Sequence, residues 1–120
     1  MRHKAFIARV IDEGTAKARE DYAESPQKLE GAVAGFEACR GLSPIELISV
    51  LEHAAIETQR AFRDESGDYW RVRCFELEVE WVCNCVSAAL VNGGQPPLRS
   101  DFPTARGMRK AAMILGVHRD

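Results

Sequence analysis

Apolar residues recur along this chain every three to four positions, the period of a helix buried on one side. In the first such stretch, about residues 3–22, Phe6, Ile7, Val10, Ile11, Gly14, Ala18 and Tyr22 share one face. Arg9, Asp12, Glu13, Arg19 and Glu20 lie off it. Gly14 on the buried side gives up about 1 kcal/mol of helix propensity against Ala. Its position predicts a partner helix that crosses closely there.

The second helix, about 26–40, opens at Ser25-Pro26, a capping residue followed by a proline suited to the first helical position. Leu29, Ala32, Val33, Phe36 and Cys39 form its larger face. Gly31, Ala34, Gly35 and Ala38 form a second face of very small residues, and Gly41 supplies a left-handed stop. A third helix, about 44–63, begins with the capping box Ser43-Pro44-Ile45-Glu46. Its apolar arc is Leu47, Ile48, Leu51, Ala54, Ala55, Thr58 and Phe62, and it ends in the turn signal Asp64-Glu65-Ser66-Gly67.

The fourth helix, about 68–92, starts at Asp68 and stops at Gly93-Gly94. It is apolar around most of its circumference, with Arg73, Glu76, Glu80, Asn84 and Ser87 as its polar stripe. Such a helix must be enclosed by neighbours. It is expected to be the central strut, and to carry enough apolar surface to form a symmetric homodimer. A proline-rich linker follows, and a fifth helix is predicted over 104–115. No two-residue alternation marks a strand. The expected fold is all-α, a single-domain bundle of about five helices over residues 1–120.

Composition fits that reading. At 120 residues, with 46% hydrophobic and 28% charged positions, the chain resembles an ordinary globular domain. The longest apolar run, Trp81 to Val91, falls well short of the roughly 20 residues a bilayer needs. With no signal peptide visible, a cytoplasmic protein without membrane partners is expected. Four cysteines, Cys39, Cys74, Cys83 and Cys85, are then expected as free buried thiols. Cys83 and Cys85 sit two apart on a helix, about 200° around it, and cannot share one metal ion. No metal and no cofactor are expected.

The net charge of −2 is unevenly spread. Residues 1–98 carry 11 Lys/Arg against 16 Asp/Glu, and residues 99–120 carry five against two. An acidic body thus precedes a basic segment. Arg106, Arg109 and Lys110 lie on one side of the fifth helix, with Met108, Ala111, Ala112 and Leu115 on the other and Arg99 nearby. This surface suits phosphate or an acidic partner. The string Lys110 to Asp120 resembles the first helix and turn of a helix-turn-helix unit, with Leu115-Gly116-Val117 at the turn. A first helix and turn alone are not expected to read a major groove, which takes a recognition helix.

Other candidates are weaker. Ser49, His53 and Glu57 line one helix face in the order nucleophile, base and acid. That face also holds Glu46 and Arg60 and reads as solvated surface. Glu78 falls among Cys74, Trp81, Val82 and Cys85, where a carboxylate needs a partner. Arg71, two turns earlier, is the expected one, giving a buried ion pair. Trp70 and Trp81 lie within about 20° of each other around the fourth helix and read as anchors of a protein interface. The expected function is that of a small non-catalytic regulatory or adaptor protein that binds another protein. The alternative is a nucleic-acid-binding regulator using the basic fifth helix.

Overall fold

The computed structural model describes residues 2–91, and within them the side chains of residues 5–87. These residues form four helices and no strand: α1 (Arg2–Asp21), α2 (Pro26–Ala38), α3 (Pro44–Arg63) and α4 (Tyr69–Val91). The fifth predicted helix, 104–115, lies outside the described residues.

The helix ends follow local chemistry. At α3 the capping box is formed: the Glu46 N–H donates to Ser43 Oγ at 3.2 Å and the Ser43 N–H to Glu46 Oε1 at 2.9 Å. At α2, Ser25 holds the capping position, and its carbonyl accepts the Leu29 N–H at 2.9 Å. Its hydroxyl makes no capping bond. The same helix ends at Ala38, two residues before the sequence-based limit. There the Cys39 and Arg40 N–H groups bond to Phe36 and Glu37, three residues back, which tightens the last turn. Gly41 then takes the left-handed conformation foreseen for it, with φ 76°.

The exit from α3 is less obvious from sequence. Glu65 is left-handed, with φ 49°. The Ser66 N–H reaches back to the Ala61 carbonyl and the Glu65 N–H to Phe62. This pair of bonds is a Schellman motif, with a glutamate at the position that glycine usually fills.

The core lies around α4, which packs on α2, α3 and α1. Of its residues 69–87 only Trp70 and Ser87 are exposed. The central-strut expectation holds. Over those residues three helices of the same chain share the covering of α4.

The small-residue face of α2 explains how α4 is approached so closely. A methyl group built on Gly31 would overlap the Arg71 carbonyl, and one on Gly35 would lie 2.6 Å from the Phe75 carbonyl oxygen. Gly31 and Gly35 are four apart, as are Arg71 and Phe75, so two successive turns of each helix meet main chain to main chain. Across α2, the fully buried Phe36 ring fills the space beside Gly14, where any Cβ would collide with it. The crossing inferred from Gly14 is therefore α1 on α2. Arg40 ties the same pair at the surface, with Nη2 2.8 Å from Asp12 Oδ1.

On the other side, α3 meets α4 and hardly any other of the described helices. One neighbour covers only a narrow stripe, here Leu47, Ala54, Thr58 and Ala61. Ile48 and Phe62, expected in the buried arc, are consequently exposed, together with Ile45 and Ile56.

Candidate protein-docking site

The turn between α3 and α4 gathers aromatic side chains at the surface. Phe62 stands on the last turn of α3 and is 72% exposed, while Trp70 on the first turn of α4 is 49% exposed. Tyr69 lies between them. Its ring centroid is 5.8 Å from Phe62 and 5.1 Å from Trp70, the second contact edge-on. Lys28 of α2 places its Nζ 4.6 Å from the Trp70 ring centroid, a cation–π contact that orients the indole.

The turn is braced from both sides. Gln27 Nε2 donates to the Gly67 carbonyl at 2.7 Å, linking the start of α2 to the loop. Thr58 Oγ1 donates to Ala54 and lies 3.3 Å from the Val72 carbonyl, which joins α3 to α4 beneath the cluster.

Beside the aromatics runs an open groove of about 340 Å³ lined by Ala55, Thr58, Gln59, Phe62, Tyr69, Arg73 and Glu76. Its size is at the lower end of the roughly 300–1,000 Å³ typical of ligand sites. Arg73 Nη1 bonds Glu76 Oε1 at 2.7 Å, with the glutamate largely covered and the guanidinium one-third exposed. The groove thus offers apolar walls, a hydroxyl already donating to main chain, and an ion pair. Such a surface can hold a side chain. It brings no nucleophile and base together.

The sequence-predicted residues disperse. Trp70 is at the cluster, whereas Trp81 is 7% exposed and belongs to the core, so it is no surface anchor. Their shared angle around α4 hid their different heights: Trp70 sits at the helix start, where α3 has just ended.

Arg71 is not turned toward Glu78. Its Nη2 bonds Asp68 Oδ2 at 2.8 Å, and Glu30 is the other carboxylate acting on it. Glu78 is buried as expected, close enough to Tyr22 and Cys74 for its charge to raise both their pKa values. Burial is the larger cause at Tyr22, whose phenol is pushed up to about 12, with further contributions from Cys74 and Glu78.

All four cysteines are free. Desolvation raises the Cys74 thiol and takes Cys39 to about 12 and Cys83 to about 11, so these sulfurs stay protonated and unreactive at neutral pH. Among the described residues no three His, Cys, Asp or Glu side chains converge on a metal position. Ser49 and His53 are exposed. His53 Nε2 lies 3.9 Å from Glu57, which Arg60 holds at 3.0 Å, the solvated face that was expected. Arg99, Arg106, Arg109 and Lys110 lie outside the described residues. No described helix is long and apolar enough to cross a membrane.

The aromatic cluster was half legible. The sequence pattern marks Trp70 as an anchor but places Phe62 in the buried arc and gives no signal for Tyr69. The cue was the brevity of the turn, which forces the last residues of α3 against the first of α4.

Compared with known protein families, curated proteins and solved structures, the chain matches none.

Proposed function

We propose that this protein works by binding, as a small non-catalytic adaptor or regulatory protein that engages another protein through the aromatic surface at the α3–α4 turn. The observation that supports this reading is the exposure of Phe62 and Trp70, 72% and 49%, beside a groove open to solvent. Large aromatic side chains contribute most per residue at protein interfaces. Truncating a central one commonly costs about 2 kcal/mol or more of binding. Holding Trp70 in place with Lys28 and Tyr69 lowers the entropy that binding must overcome. A partner would insert an apolar or aromatic side chain between Phe62 and the Arg73–Glu76 pair.

The test compares immobilised wild-type protein with a Phe62→Ser/Trp70→Ser variant, using lysate with and without nuclease. Proteins retained by the wild type, lost by the variant and indifferent to nuclease are the expected outcome. Retention that vanishes with nuclease and with Arg106→Glu/Arg109→Glu would favour the nucleic-acid reading instead. Light scattering on the pure protein tells a second copy of the chain from a different partner, since a dimer would double the 13.3 kDa mass.

A further inference from the structure

Further round α3 from the groove, three isoleucines stand in solvent: Ile45 at 78% exposure, Ile48 at 53% and Ile56 at 55%. At about 100° per residue they fall within roughly 80° of one another, and Glu52 lies between them. Glu52 is exposed and has no ion-pair partner among the described residues. A β-branched apolar row around a lone carboxylate is a poor solvent face and a good seat for an amphipathic helix carrying a cation at its margin.

We propose that this row is covered by residues 104–115 of the same chain, docking as a helix with Met108, Ala111, Ala112 and Leu115 inward and Arg109 against Glu52. Three observations agree on this occupant. The first is charge. Of the carboxylates on this part of α3, Glu57 is held by Arg60 and Glu46 by the capping box, which leaves Glu52 among the isoleucines, whereas 104–115 contain Arg106, Arg109 and Lys110 and no Asp or Glu. The second is length. A twelve-residue helix is about 18 Å long, and Ile45 to Ile56 spans about 16 Å of α3 at 1.5 Å per residue.

The third is reach. Cys83 of α4 has its Sγ 3.8 Å from the Leu47 carbonyl, which sets the later part of α4 beside the start of α3. Eight more residues carry α4 about 12 Å to Val91, at the Ile45 end. The twelve residues 92–103 can then stretch as far as about 40 Å, more than enough to return along α3. Met108, Ala111, Ala112 and Leu115 repeat at the spacing of one helix face, with Arg109 about 60° beyond Ala112 at its margin.

This inference does not rest on the aromatic docking site. Its test places the photo-crosslinker benzoylphenylalanine at exposed position 48 of the full chain, in a one-to-one mixture of unlabelled and ¹⁵N-labelled protein. Irradiation should give a link from position 48 to a peptide within 104–115, carried within single-label chains. The Glu52→Arg variant should reduce that link at least fivefold, and Glu52→Arg/Arg109→Glu should restore it. Circular dichroism on each variant checks that the exposed substitutions leave the fold intact. Links between differently labelled chains would overturn the proposal in favour of a second copy. Links elsewhere, or none, would overturn it outright, and a link indifferent to Glu52→Arg would remove the charge pairing from it.

Discussion

Gly31 of α2 sits directly against the carbonyl of Arg71 on α4, with no room between them for a methyl group. The main chains of the two helices are therefore in contact, and one turn later Gly35 repeats the arrangement on Phe75. Gly31→Ala should force the helices apart and cost about 3 kcal/mol, at the upper end of overpacking effects because main chain cannot rotate away. Gly35→Ala should cost somewhat less. Gly67 has open space around its Cα, and Gly67→Ala should change stability by less than about 1 kcal/mol. Urea midpoints of the three variants decide this, and equal values for Gly31→Ala and Gly67→Ala would refute the close packing.

Gly14 and Phe36 form a different kind of pair, in which the obstacle is a side chain. Gly14→Ala should destabilise by about 2 kcal/mol in the wild-type background. Phe36→Leu shortens the ring that occupies the space and should cost about 1–2 kcal/mol alone. In the double variant the two losses should sum to clearly more than the measured value, since leucine leaves room for the new methyl. A thermodynamic cycle showing simple additivity would mean the two positions do not share that space.

Glu65 holds the left-handed position that closes the Schellman motif after α3. A residue with a Cβ is strained there by roughly 1–2 kcal/mol, and glycine is not. Part of that gain is lost to the freer unfolded chain. Glu65→Gly should therefore stabilise the protein by about 0.5–1 kcal/mol, visible as a higher thermal midpoint. A lower midpoint would show that Glu65 has a favourable role that its main-chain geometry does not reveal.

Stability should also fall at high pH. Cys39 and Cys83, with ordinary values near 9, are raised to about 12 and about 11, and Tyr22 moves from 10 to about 12. Each keeps its proton in the folded state after the unfolded chain has lost it. The contribution of such a group is whole below its unfolded pKa and disappears as pH climbs toward the folded one. For fully buried Cys39 the loss is about 1.4 kcal/mol per pH unit above 9. Thermal midpoints should be flat from pH 7 to 8.5 and drop steeply between 9 and 11. A Cys39→Ala variant should show a shallower drop, and an identical slope would argue that the thiol titrates freely.

The helices were written in local sequence because the chemistry that starts and stops them is local. Ser43 and Glu46 cap α3 through groups three residues apart, and α3 begins and ends at the predicted residues. Gly14 points to a close crossing because an interior helix glycine gives up about 1 kcal/mol of propensity, whereas Gly31 and Gly35 read only as part of a small-residue face until the structure sets them against α4. The small face of α2 is legible in its residue sizes, and the enclosure of α4 in its nearly all-round apolar circumference.

What periodicity could not reveal is which faces find a neighbour. Leu47 and Ile48 belong to one apolar arc, yet Leu47 is buried on α4 and Ile48 is exposed, because among the described helices α4 is the one that packs closely on α3. Trp70 and Trp81 share an angle but not a fate, since angle carries no information about height along the helix. Arg71 chose Asp68, three residues away, over Glu78, because a short surface pair avoids burying a guanidinium. Sequence determined the elements through interactions a few residues long. The exposed aromatic turn and the isoleucine row were decided only when the helices packed, because coverage depends on where distant segments lie.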